Sequence, residues 1–188
     1  MPVPQVPVFV PGAPVGSLPA RFNAWIRDPL TALLSPPRFR ARRTTGLTVT
    51  EAVNQAVAWN SSGVDEDSHG GWSSGQPTRY TVPAGWSGWW LVTGAVSISG
   101  GGAAGLVLIP SIAVNGASHT GAGLAGWEGP EPFVAFGGLK VCSATWRVYA
   151  SAGDRIELIL YYSDESTITA VDTTPGQECR IELVWDGV

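Results

Sequence analysis

Two histidines, two cysteines and a few clustered acids are the side chains of this 188-residue sequence that could carry bond-making chemistry. A nucleophilic hydrolase needs a base beside its nucleophile, and histidine is the usual one. His69 and His119 are the only histidines, and no serine sits in a Gly-x-Ser-x-Gly elbow. Cys142 and Cys179 lack a CxxC spacing and fall in strand-like stretches, where buried free thiols are the default. Glycoside cleavage needs two facing carboxylates. Asp65, Glu66 and Asp67 on one segment and Glu128 with Glu131 on another are available, but adjacent exposed acids are more simply a solvated loop. Asp65, Glu66 and Asp67 also offer hard oxygen ligands, so calcium is the one cofactor they suggest, although their spacing is not that of an EF-hand loop. Gly100-Gly101-Gly102-Ala103-Ala104-Gly105 has no lysine and precedes a strand, which argues against a phosphate cradle. Loop tryptophans offer a different chemistry. Trp72 and Trp127, with His69 and His119 on the same two loops, are candidate ligand-binding residues, because indoles stack on sugars or anchor interfaces. The alternative is that these indoles fill the fold or a subunit contact. The expectation is therefore a structural or binding module rather than an enzyme, with no cofactor beyond the calcium option.

The elements that must hold these residues are strands. Charged residues make up only 14% of the chain, while it carries 24 Gly, 15 Pro and 9 Trp. That composition favours many short strands and tight turns over charged helices or disorder. Candidate strands are Phe39–Arg43, Ala52–Asn60, Thr78–Val82, Trp89–Ser99, Leu106–Asn115, Phe133–Phe136, Leu139–Val141 with Trp146–Ala150, Arg155–Tyr162, Thr167–Val171 and Cys179–Trp185. Alternation is clearest in the last, where Cys179, Ile181, Leu183 and Trp185 oppose Arg180, Glu182 and Asp186. Trp89 and Trp90 must face opposite sides, one into the core and the other outward or into a subunit contact. Turn chemistry separates the strands at Pro83-Ala84-Gly85, Asn115-Gly116, Gly137-Gly138, Ala152-Gly153-Asp154 and Pro175-Gly176. Ser61–Pro77 and Ala117–Pro132 read as long loops.

The first 37 residues differ in kind. Residues 1–16 form an extended arm stiffened by Pro2, Pro4, Pro7, Pro11 and Pro14, with apolar Val8 and Phe9 among the intervening residues. Phe22, Trp25, Ile26, Leu30, Leu33 and Leu34 then make one helical stripe, kinked at Asp28-Pro29 and ended by Pro36-Pro37. A lone amphipathic helix cannot bury its own stripe. These eight apolar residues are expected to anchor the chain to a partner, although the arm could instead be a disordered terminus. Charge follows the same division. Six arginines against Asp28 give +5 over residues 1–50, and the remaining residues carry −9. The acidic body and the short basic run argue against nucleic acid. No apolar run is long enough to span a bilayer, so no membrane insertion is expected, and the start lacks a basic signal-peptide region.

Three motifs in order resemble the C1q/TNF-like jelly rolls: Tyr80-Thr81-Val82-Pro83 leading to Gly88-Trp89-Trp90, then Ala113-Val114-Asn115-Gly116, then Ala152-Gly153-Asp154-Arg155-Ile156. Ile181–Trp185 falls where that family's last strand would. The overall layout, with Leu34-Ser35-Pro36-Pro37-Arg38 ending the helix, is similar to minor tail or fibre-type virion proteins of siphophages infecting actinobacteria. The resemblance implies an all-β, C1q/TNF-like jelly-roll sandwich over residues 38–188, preceded over residues 1–37 by an extended proline-rich arm and a short kinked helix. It implies a homotrimer made in a host cytoplasm and carried on a virion, with residues 1–37 meeting other virion proteins. Tail protein, capsid decoration protein or head fibre, and host-surface glycan receptor module are the alternatives it leaves open.

Overall fold

The computed structural model describes residues 26–27, 30, 34–50, 52–98, 106–119, 133–135, 140–163 and 178–187. Among the described residues, the alternation of apolar and polar residues becomes eleven strands in two antiparallel sheets. The front sheet runs in the order β3 (Val64–Asp67), β1 (Arg38–Arg42), β11 (Arg180–Gly187), β5 (Gly88–Ile98), β9 (Lys140–Ala150). The back sheet runs β2 (Gln55–Ala56), β10 (Arg155–Ser163), β6 (Leu106–Val114), β7 (Ala117–His119), with β4 (Tyr80–Thr81) also pairing β10 and β8 (Phe133–Ala135) also pairing β6. The strand nearest the C-terminus lies between the first strand and β5, with Leu183 opposite both Phe39 and Val92. No local hairpin makes that pairing, so the front sheet is closed by long-range contacts.

The core lies between the sheets. Phe39, Trp90, Val92, Trp146 and Leu183 come from the front sheet, and Leu108, Ile112, Ile156, Leu158 and Leu160 from the back; all are buried. Each such side chain contributes roughly 1.5–3 kcal/mol by leaving water. Tyr80 bridges the layers, 5.1 Å from the Phe39 ring and 5.7 Å from the Trp90 ring. At Gly94 the layers approach so closely that a Cβ would lie 2.5 Å from Leu158 Cδ1. Pro110 interrupts β6 between the residues paired to β8 and those paired to β7, so its missing amide costs no ladder bond on that side.

Most strand expectations match within a residue or two, and several are corrected. Ser61–Pro77 is not a plain loop: it opens with a 3₁₀ turn at Ser61–Gly63 and continues as β3 against β1. Three successive acids disguise that strand, yet an edge strand tolerates charge and gains from facing the arginines of β1. Ala117–His119 likewise pairs back on β6 through a tight turn with φ of 54° at Asn115 and 80° at Gly116. Those positive values explain the Asn-Gly pair. β9 is one continuous strand, since Ser143, Ala144 and Thr145 keep the alternation despite their small size. Only Gln55–Ala56 of Ala52–Asn60 joins a ladder; beyond it, Val57 donates to Leu158 O and Trp59 to Pro77 O. Thr167–Val171, the arm with Val8 and Phe9, and Phe22, Trp25 and Leu33 of the stripe lie outside the described residues.

Candidate interaction face

A sandwich that stays alone makes the outer faces of its sheets polar. The outer face of the front sheet does not follow that rule. Trp90 and Val92 on β5 point into the core, so Trp89 and Leu91 point outward, and Leu91 is 43% exposed. Across the ladder, β9 places Tyr149 opposite Trp89 and Arg147 opposite Leu91. Tyr149 is 54% exposed and meets Trp89 edge-on at 5.6 Å. The Arg147 guanidinium lies 4.8 Å from the centre of the Trp89 ring and donates from Nε to Asp186 at 2.7 Å. This cation–π contact and ion pair hold the indole in one orientation. A hydrogen bond between the Thr93 and Thr145 hydroxyls, 3.0 Å long, crosses the middle of the face.

The other end of the same face is a groove of about 670 Å³. Small residues on β5 and β9 (Thr93, Ala95, Ser143) leave room between the long side chains of β1 and β11, and exposed Val141 stands at its edge. Its charges largely balance. Arg42 Nε donates to Asp65 at 3.3 Å, the Arg42 guanidinium lies 3.7 Å from buried Glu178, and Arg40 faces Glu182 in register. The arginine row of β1 is thus the polar face of a strand, engaged with neighbouring acids. Arg43 turns away from that row and donates to the carbonyls of Thr45, Gly46 and Ala58, fastening the segment after β1.

The residues singled out by sequence fall in several places. On β3 the register slips between Arg40 and Ala41, so Asp65 meets Arg42 and Glu66 stands opposite Arg40, while Asp67 stands opposite buried Phe39. Both Asp67 oxygens accept backbone amides, from Gly71 at 3.0 Å and Trp72 at 3.1 Å. Asp67 thereby shapes the turn after β3, while Asp65 pairs with Arg42. Among the described residues no three His, Cys, Asp or Glu side chains form a metal-binding group. Trp72 is half-buried against the core, with its indole N–H donating to Pro77 O at 3.2 Å. His69 is exposed; its Nδ1 shares a hydrogen bond with Ser68 Oγ, and its ring meets Trp86 edge-on at 5.1 Å. Trp86 in turn meets Trp185 at 5.1 Å. His119 ends β7 opposite Ile112, and Trp127 lies outside the described residues. The described residues of the anchoring stripe, Ile26, Leu30 and Leu34, have helical backbone and are 51%, 51% and 76% exposed.

Both cysteines are buried free thiols. Burial pushes the Cys179 thiol up to about 11 and raises that of Cys142. Thiols so held stay protonated and unreactive near neutral pH. The surface that sequence reading missed is the pairing of Leu91, Arg147 and Tyr149 with Trp89. Its signal is the run Trp89-Trp90-Leu91-Val92, which is apolar at every position and so asks for burial on both faces.

At the level of sequence, no family model and no curated protein matches the chain. The fold is shared with solved structures. The globular domain of zebrafish complement 1qA is similar with a TM-score of 0.52 and 12% identity, over 80% of this chain and 97% of that one. Murine APRIL is similar with a TM-score of 0.50 and 11% identity, over 79% of this chain and 98% of that one. The architecture is therefore an all-β, C1q/TNF-like jelly-roll sandwich.

Proposed function

We propose that the chain is a structural and binding module whose jelly-roll head assembles as a homotrimer through the outer face of the front sheet. The observation that carries this reading is exposed Leu91 and Tyr149 beside Trp89, with exposed Val141 at the far end of the same face. Contiguous apolar surface of this kind marks a protein contact, and aromatic residues with arginine are favoured contact residues. The C1q/TNF likeness supports the same assembly, because the resemblance implies a trimer. Light scattering on the full chain should read three times the 19.7 kDa monomer mass. Leu91→Arg combined with Tyr149→Asp should give a monomer with unchanged far-ultraviolet dichroism. A monomeric wild type, or a double variant that stays trimeric, would reject the assignment.

The finer reading is a phage virion protein, a minor tail protein that docks by residues 1–37 and displays the head outward. Its support is the segment before β1, where exposed Ile26, Leu30 and Leu34 follow one another at i, i+4 and i+8. Such a row on the head's own chain needs a partner surface. The sequence resemblance to siphophage tail proteins supplies the class of partner. Aspartate at all three positions should leave the head folded and abolish incorporation into particles; normal incorporation would sink the docking claim. Antibody labelling of intact particles separates tail from capsid decoration or head fibre. A glycan array on the full chain separates a receptor-binding head from a purely structural one.

A further inference from the structure

We infer that Asn115 is a self-modification site, an Asn-Gly pair set up for deamidation that the neighbouring Asp154 turn holds closed. Asn115 and Gly116 form the exposed two-residue turn between β6 and β7. Both residues are exposed, and nothing lies within 4 Å of where a Gly116 Cβ would be, so the turn is open on that side. The reaction needs only water. The Gly116 backbone nitrogen loses its proton to solvent and bonds to Asn115 Cγ. The Cγ–Nδ2 bond breaks, and the nitrogen leaves as ammonia with a proton from water. Water then opens the resulting cyclic imide at one of its two carbonyls, giving aspartate or isoaspartate.

The Asn115 carboxamide is restrained at both ends. Its Nδ2 donates to Asp154 Oδ1 at 2.7 Å, and its Oδ1 accepts the Arg155 amide at 3.0 Å. The Asn115 backbone amide donates to Arg155 O at 2.9 Å. Asp154 is itself fixed, with Oδ2 accepting the Ser151 amide at 2.7 Å. Cγ can swing toward the Gly116 nitrogen only after the first two bonds break together, so the chemistry is gated by local opening of this end of the back sheet. The product would not return to the same arrangement. An aspartate at 115 places a second carboxylate within hydrogen-bonding range of Asp154, and like charges there repel. An isoaspartate adds a backbone atom to a two-residue turn and disturbs the β6–β7 register. A brief opening is thereby turned into a permanent loosening.

The test is peptide mapping by mass spectrometry on the full chain, aged at neutral pH and 37 °C both native and in urea. The readout is the gain of about 1 Da at Asn115, with aspartate and isoaspartate resolved by retention. Native protein should deamidate at least about tenfold more slowly than the urea-unfolded chain, and Asp154→Ala, native by dichroism, several times faster than wild type. Equal rates in native and unfolded wild type would overturn the proposal, as would a folded Asp154→Ala variant no faster than wild type. The native-against-urea comparison uses no variant, so it decides the matter even where Asp154→Ala does not fold.

Discussion

Gly88 shows how much one position can decide. Its φ is 149°, and an added Cβ would meet Gly187 O at 2.2 Å and Trp185 Nε1 at 2.8 Å. Gly88→Ala is therefore expected to cost about 1–3 kcal/mol by overpacking the start of β5 against the end of β11, read as a lower midpoint in urea. Cys179 gives a pH signature. Its thiol is raised to about 11, so its contribution is present below the ordinary thiol value of 9.0 and disappears as pH rises through about 11. Cys179→Ser should flatten the alkaline loss of stability across that window relative to wild type. Asp154 works in the opposite direction. Hydrogen bonds from the Asn115 side chain and the Ser151 amide hold its carboxyl below the usual carboxylate value, so its contribution is full above that value and is lost as pH falls through the folded one.

At the level of elements, β3 is the instructive strand. Val64-Asp65-Glu66-Asp67 has one apolar residue, and its strand state depends on what lies beside it: β1 presents Arg40 opposite Glu66, and Arg42 reaches Asp65. The exposed Arg42–Asp65 pair is worth under about 1 kcal/mol and should weaken with salt. Asp67 matters more, because its two oxygens hold the amides of the following turn, on which Tyr80 and Trp72 pack. Asp67→Ala is expected to destabilise the chain by about 1–2 kcal/mol, through half-buried amides left without acceptors. The same loss should raise hydrogen exchange at Gly71 and Trp72 before the core strands respond.

For the whole molecule, the two sheets account for folding, and the proposed association rests on surfaces outside the core. The described core side chains are buried between the sheets, whereas Leu91 and Tyr149 on the front-sheet face and the row Ile26, Leu30, Leu34 are exposed. In the proposed function these two surfaces serve different contacts, copy to copy and chain to particle. Disrupting one should leave the other intact. Leu91→Arg with Tyr149→Asp should abolish the trimer without melting the head, and the aspartate variants of the row should remain trimeric in solution while failing to enter particles. Light scattering and particle incorporation, measured on both variants, check that independence.

Much of the sandwich is legible along the chain because burial imposes a period of two. Cys179–Trp185 and Arg155–Tyr162 state their core faces residue by residue, and the Asn115-Gly116 and Gly153-Asp154 turns announce themselves by the backbone angles they require. That local code also marks Trp89 and Trp90 as facing opposite ways. It does not say which strands become neighbours. β11 between β1 and β5, β3 as an acidic edge, and Tyr149 beside Trp89 are matters of register between distant segments, and only the folded chain fixes them. The same limit applies to the candidate sites. Sequence marks Trp72 and the three acids as available chemistry, while the tertiary structure uses Trp72 and Asp67 to hold a turn and leaves Leu91 and Tyr149 exposed on the outer face of β5 and β9. A side chain's role depends on which partners satisfy its polar atoms and cover its apolar surface, and those partners are set by packing across the whole molecule.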